Sequence, residues 1–298
     1  MFGELSALGA AITWAIAPAL YRKALFRATP AVANALRCLT NALFLLAILL
    51  LANGASSLSS LSLLTVTATV LSGVVGLGLG DLLYMTSLES IGLSKAVPIA
   101  SSYPFFSFLW AILFLDEVVT IFAVAGALSV FAGILLLSWT KPKSGFCTSQ
   151  KRYAMGIASG FATALCWSVS VTLMDSAVAH AGMNSLSVNL ALVASRVTAA
   201  SCLMLPLLPV FHRQGTALRL NRFTVLQLFT GGILANGVGW LLMNFSLSLT
   251  AESVAVPISS VSPLFSTLLG AAAFHEKIDA KNSIGVLLVV FGLALLFA

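Results

Sequence analysis

One fourteen-residue stretch occurs twice in this chain, and its repetition constrains the fold more than any other feature. Ser94–Ser107 reads SKAVPIASSYPFFS and Ser253–Ser266 reads SVAVPISSVSPLFS; at a constant offset of 159 they agree at nine of fourteen positions. Each copy holds prolines six residues apart, Pro98 and Pro104 in one and Pro257 and Pro263 in the other, with Ser101 or Ser260 between them. A proline inside a helix removes an amide hydrogen and strands the carbonyl four residues earlier. Both copies lie in strongly apolar surroundings, where stranded carbonyls are tolerated only against protein or a water-filled cavity. Paired interruptions at corresponding places in two apolar halves point to a binding site between the halves. Ser101, Ser102, Tyr103, Ser260 and Ser262 offer hydrogen-bonding groups for such a wall. The competing reading is that the prolines only bend helices for packing.

The offset persists outside these segments. Arg37/Arg196, Gly73/Gly232, Gly80/Gly239, Ser87/Ser246, Glu117/Glu276, Gly126/Gly285 and Gly133/Gly292 all keep 159, and Trp14/Trp167 correspond at 153. Only 8% of the residues are charged and 59% are hydrophobic, whereas soluble domains carry about 25% charge. The chain therefore reads as a membrane protein. At about 20 apolar residues per span, ten spans are expected: about 2–21, 31–52, 64–88, 93–114, 118–139, 154–178, 184–210, 223–248, 252–273 and 278–297. No room is left for a soluble catalytic domain. Five spans per half is an odd number, so the second half must enter the bilayer upside down relative to the first. The expected fold class is an all-α integral membrane protein of ten transmembrane helices in two inverted five-helix repeats, residues 1–139 and 154–298, joined by a cytoplasmic linker at 140–153.

In a soluble protein a formal charge of +6 would point to nucleic acid. Here thirteen of the fifteen Lys and Arg fall in loops after odd-numbered spans, and none in loops after even-numbered spans or in the tails. The positive-inside rule then places both termini outside the cytoplasm of a multi-pass protein of the plasma (inner) membrane. No nucleic-acid partner is expected, and the chain is expected to act as a monomer. The N-terminal apolar run lacks a basic flank and a small-residue cleavage site, so it is expected to stay as the first span. Cys38, Cys147, Cys166 and Cys202 show no pairing or metal-ligand spacing and read as small packing residues.

Charges inside a membrane are expensive and mark function by default. Arg37 and Asp81 each lie about seven residues from the cytoplasmic end of their spans, roughly 10 Å deep at 1.5 Å per residue, and are expected to be able to pair. Asp81 then reads equally as a permanent partner of Arg37 or as a proton carrier. Arg196 has Trp240 where its repeat mate has Asp81, and Asp175 is the nearest acid by depth. Asn236, Trp240 and Asn244 recur at helical spacing on span 8, and Tyr84 accompanies Asp81 on span 3. Two such faces suit a small amphipathic or aromatic solute; the plainer reading makes the asparagines structural glue between helices. Trp14 and Trp167 fall mid-span, either as an aromatic wall or as ordinary packing. No Walker loop, metal motif, nucleophile elbow or dinucleotide fingerprint occurs. No cofactor, metal or catalytic residue is expected, and the chain does not read as an enzyme.

The ten spans, the mid-span tryptophans, the proline-bearing spans 4 and 9, and the acids after them (Leu115–Glu117, LDE; Phe274–Glu276, FHE) together resemble the EamA-type ten-span members of the drug/metabolite transporter superfamily. The resemblance covers nearly the whole chain. It implies a secondary carrier, often an exporter of amino acids or related metabolites, with a central cavity between the halves. Carried over by position, that cavity would include Asp81, Tyr84, Ser101, Ser102, Asn236, Trp240, Ser260 and Ser262. Four-span relatives carry protons on a glutamate in the middle of span 1. Here that region reads AAITWAIAP, so that coupling does not transfer. Other superfamily members carry sugar phosphates and nucleotide sugars, which leaves an anion exchanger as the alternative. A non-transporting membrane scaffold is the alternative from a different class.

Overall fold

The computed structural model describes residues 2–52, 54–106, 120–139, 149–181, 185–212, 220–249, 258–259, 261–275 and 280–296. The described secondary structure is helical. The helices are α1 (Phe2–Ala24), α2 (Pro30–Leu51), α3 (Ala55–Ser59), α4 (Leu63–Ser72), α5 (Asp81–Ile91), α6 (Leu93–Ala100), α7 (Ile121–Trp139), α8 (Gln150–Ala181), α9 (Leu186–His212), α10 (Arg222–Gly232), α11 (Trp240–Leu249), α12 (Ser262–Phe274) and α13 (Ala280–Leu296). Their starts follow local chemistry. Thr29 accepts from the Val32 amide with Pro30 opening α2, Ser62 accepts from the Thr65 amide, and Asn221 accepts from the Thr224 amide. Each side chain satisfies an amide that a helix start leaves unpaired.

Six helical runs among the described residues are long and apolar enough to cross a membrane: Phe2–Ala24, Pro30–Leu51, Leu63–Ile91, Gln150–Val178, Leu186–Pro209 and Arg222–Ser246. These answer to expected spans 1, 2, 3, 6, 7 and 8. At the other four expected positions the described residues form shorter apolar helices, α6, α7, α12 and α13. Large apolar side chains are exposed along α7, α12 and α13, among them Leu128, Phe131, Leu268, Leu287 and Phe291, whereas α6 is buried throughout. In water such a surface would be a liability; hydrocarbon accommodates it.

Two long helices carry matching irregularities. Gly73–Gly80, between α4 and α5, and Ile233–Gly239, between α10 and α11, are π-helical. The repeat offset carries the first segment onto Gly232–Gly239. Glycine-rich stretches lose little by the wider winding, and π-turns concentrate at functional sites. The proline segments also match. α6 ends at Ala100, a turn occupies Ser101 and Ser102, and helix resumes over 103–106 with Pro104 second. α12 begins at Ser262, the repeat equivalent of Tyr103, with Pro263 second. Sequence reasoning treated Pro104 and Pro263 as kinks; both stand instead in the first turn of a new helical segment, where a missing amide costs least. Pro98 lies buried inside α6. Pro257 and Ser260 lie outside the described residues, as do Glu117 and Glu276.

Packing between the halves exchanges under the repeat. α1 packs on α10 and α11, and α8 packs on α4 and α5; α2 faces α9, α6 faces α12, and α7 faces α13. A Cβ on Gly133 would fall 2.7 Å from the Gly285 carbonyl oxygen, and one on Gly292 would fall 2.6 Å from that of Gly126. These are one contact with the repeat copies interchanged. Between them Ser129 Oγ donates to the carbonyl of Leu288 at 2.9 Å, and Leu288 is the repeat equivalent of Ser129 itself. The cations expected in loops are not all there. Arg22 closes α1 at 2% exposure and Lys95 lies within α6 at 4%.

Candidate functional site

Where α1, α5, α8 and α11 converge, a cavity of about 100 Å³ opens between the halves, room for several water molecules at about 10–15 Å³ each. Arg37 from α2, Asp81 opening α5 and Arg196 from α9 all reach it, each buried to within 3% exposure. Trp14, Tyr21, Tyr84, Tyr103, Trp167 and Trp240 supply aromatic walls, and Ser101, Asn236, Ser259 and Ser262 add polar groups.

The Asp81 carboxylate is held at both oxygens. Arg37 Nη2 donates to Oδ2 at 2.5 Å, and the indole Nε1 of Trp167, from the other half, donates to Oδ1 at 2.8 Å. Arg37 also donates to Asn34 Oδ1 at 2.8 Å, and Asn34 Nδ2 donates to the carbonyls of Leu77 and Gly78 inside the first π-helical segment. The Asp81 amide bonds to the carbonyls of Gly76 and Gly78 and leaves that of Leu77, its ordinary α-helical acceptor, so the asparagine serves both the guanidinium and the irregular backbone.

Arg196 occupies the equivalent place in the second half with different chemistry. Its guanidinium carbon lies 3.9 Å from the centre of the Trp240 ring, a close cation–π contact. Trp240 in turn meets Trp14 at 5.6 Å between ring centres. Beneath the arginines one relay recurs. Arg37 donates to the Tyr21 hydroxyl at 3.5 Å, which donates to the carbonyl of Gly231 at 2.8 Å. Arg196 donates to the Ser170 hydroxyl at 2.8 Å, which donates to the carbonyl of Ser72 at 2.8 Å. Ser72 and Gly231 are repeat equivalents, each one or two residues before a π-helical segment.

Of the side chains singled out from sequence, Trp14, Arg37, Asp81, Tyr84, Ser101, Tyr103, Trp167, Arg196, Asn236, Trp240 and Ser262 line the cavity. Ser102 and Asn244 do not. Ser102 Oγ turns back to the carbonyl of Ile99 at 2.6 Å. Asn244 donates to Asn189 Oδ1 at 2.8 Å, and Asn189 reaches the carbonyl of Leu241, which is the helix-to-helix role of the plainer reading. Ser260 and the side chain of Asp175 lie outside what is described. Sequence reasoning passed over Tyr21 and Ser259. Tyr21 adjoins Arg22 and Lys23 and so reads as a span end; its signal was its place one turn below Pro18, which also lines the cavity. Ser259 sits between the two prolines of the second copy, one residue from the serine that was chosen. Among the described residues no group of His, Cys, Asp and Glu could hold a metal ion.

Comparison with known proteins agrees along the whole chain. The sequence pattern described as the EamA-like transporter family matches residues 1–139 and 154–298. A protein of Archaeoglobus fulgidus described as an uncharacterized transporter is 25% identical over 301 residues, covering 99% of this chain and 98% of that protein. A crystal structure of another protein superposes with a TM-score of 0.66 at 22% identity, covering 98% of this chain and 95% of that one, which is a likeness of fold.

Proposed function

The chain belongs to the EamA-like transporter family, and from that premise we propose that it is a secondary transporter exporting small metabolites such as amino acids by alternating access around the cavity between its halves. The observation that carries this reading is the cavity itself. Buried guanidinium, carboxylate, amide and hydroxyl groups from both halves surround it, deep inside an otherwise apolar molecule. A scaffold would bring its halves together over an apolar interface with no such hollow.

In this reading ten spans form two inverted five-helix repeats, 1–139 and 154–298, with 140–153 as the linker. Support comes from the contacts that swap under the repeat, and from Ser129 bonding to its own equivalent, as a residue on a two-fold axis would. Exchange of two near-equivalent packings is how such folds pass a solute across a membrane without opening both sides at once. The protein works as a monomer in the plasma membrane with both termini outside the cytoplasm, an assignment supported by the sorting of basic residues between loops. It carries out no catalysis and needs no cofactor. Asp81, gripped by Arg37 and Trp167, anchors one wall, while the aromatic side chains take the apolar body of the solute.

The test is flux. Purified protein in liposomes is loaded with radiolabelled amino acids and aromatic metabolites in turn, with and without a pH gradient. Saturable efflux of at least one solute, lost in Trp240→Ala, is expected. Absence of flux for the whole panel in both conditions would refute the reading.

A further inference from the structure

The two halves do not contribute equally to the cavity. Asn236, Ser259 and Ser262 line it from the second half, and their repeat equivalents in the first are Leu77, Ala100 and Tyr103. In the first half Asp81 is already held by Arg37 and by Trp167 of the second half, and Asn34 is held by the backbone of the π-helical segment. Asn236 differs. It is 3% exposed, lines the cavity, and makes no hydrogen bond at either end of its amide among the described residues; its Nδ2 is a buried orphan. A buried amide left unsatisfied is costly, so a site that keeps one is a site expecting a partner.

A second observation falls on the same wall. α12 starts at Ser262, 5% exposed, without a capping side chain, and the residue before it is Val261. Asn, Asp, Ser and Thr are the usual caps; valine cannot serve. Among the described residues the Ser262 hydroxyl also makes no hydrogen bond, and it lines the cavity. Pro263, second in α12, has no amide hydrogen, and the Leu264 amide bonds to the Val261 carbonyl at 3.0 Å, so the helix start offers the Ser262 hydroxyl as its side-chain donor, beside an amide with nothing to bond. Both side chains can donate.

Resting on the transporter reading, we infer that Asn236 and Ser262, the first residue of α12, form the subsite for the carboxylate of the solute. The apolar body then lies toward Leu77 and Tyr84. A half-turn of the Asn236 amide aims its NH2 at one carboxylate oxygen while Ser262 donates to the other. The solute is thereby oriented, head toward the second half and body toward the first.

The experiment separates this subsite from transport. The protein in lipid nanodiscs is titrated with benzoate, phenylacetate and L-phenylalanine, each against its carboxamide, and equilibrium binding is read by quenching of tryptophan fluorescence. At least one carboxylate is expected to bind about ten-fold tighter than its amide. Asn236→Leu, which installs the residue of the first half, and independently Ser262→Ala, should each shrink that ratio to about two-fold or less. Equal binding of every acid and amide, no binding of any acid, or an unchanged ratio in both variants overturns the subsite. Flux is measured on the same variants. Wild-type flux that ignores the carboxylate sinks the subsite and leaves transport standing. Discrimination in binding without any flux does the reverse.

Discussion

Arg196 rests on the face of Trp240 in the place where its repeat equivalent, Arg37, grips Asp81. One position thus carries a carboxylate in one half and an indole in the other, and both stabilise a buried guanidinium. The ion pair needs matched geometry and hydrogen bonds to offset desolvation. The indole does so through its quadrupole, at lower cost in desolvation. Duplication supplied two arginine sites, and divergence left the cavity with one acid and one large aromatic surface.

The pair predicts a specific pattern of stability. Asp81→Asn leaves Arg37 charged and buried without its counterion, so roughly 3–5 kcal/mol of stability should be lost, read as a lower unfolding midpoint in detergent. The double variant Arg37→Met/Asp81→Leu should recover most of that loss, because an apolar pair of similar volume removes both charges together. Were the double variant as unstable as the single one, the pair would have a role beyond mutual neutralisation in the folded state.

Trp240 should matter for the solute more than for the fold. Trp240→Ala removes a cation–π contact worth about 0.5–2 kcal/mol and the ring against which Trp14 packs. The half-saturation constant for an aromatic solute should rise by about ten-fold, the rate equivalent of 1.4 kcal/mol. Trp240→Phe keeps a π-face and should stay within about three-fold. Equal losses in both variants would point to the indole N–H instead of the face.

The seam between α7 and α13 makes a prediction about symmetry. A Cβ at Gly133 meets the Gly285 carbonyl and the Val289 amide, and one at Gly292 meets the Gly126 carbonyl and the Val130 amide. Backbone cannot step aside, so each alanine must push the helices apart, at a cost of roughly 1–3 kcal/mol. Gly133→Ala and Gly292→Ala should therefore lower the unfolding midpoint by nearly the same amount. Clearly unequal shifts would mean that the seam lacks the two-fold character its contacts suggest.

Much of this architecture was legible because the repeat marks it twice. Arg37 and Arg196, the paired prolines and the paired tryptophans each had an echo, and an echo at constant offset survives uncertainty about any single helix. What lacked an echo was harder to read. Tyr21 aligns with Met174 and Ser259 with Ala100, so neither stood out, although both line the cavity. Asn244 was misleading for the opposite reason. Helical spacing placed it one turn beyond Trp240 on α11, but the neighbouring Asn189 takes its amide instead of the cavity. Periodicity gives the face a residue shares, not how far along that face a cavity extends. The buried cations Arg22 and Lys95 were read as loop residues because charge next to an apolar run ordinarily marks its end.

Those two cations belong to a set of contacts that ties the halves together at one end. Arg22 donates to the carbonyl of Glu89 at 3.0 Å, Arg152 pairs with the Glu89 carboxylate at 3.3 Å, and Lys95 Nζ donates to the Tyr153 hydroxyl at 3.1 Å while lying 5.1 Å from its ring centre. Arg152 and Tyr153 open α8, in the second half, whereas Arg22, Glu89 and Lys95 belong to the first. The Arg152–Glu89 pair is largely solvated and contributes about 0–1 kcal/mol, so its loss should barely move the unfolding midpoint. Access is where the change should appear, since a transporter must part its halves at one end in half of its cycle. Val97 lines the cavity from α6, close in sequence to Lys95. In a background without native cysteines, Val97→Cys should react with a membrane-impermeant thiol reagent several-fold faster once Arg152→Ala and Tyr153→Phe are added, with the unfolding midpoint nearly constant. An unchanged or slower rate would make these contacts ordinary packing and move the gate elsewhere.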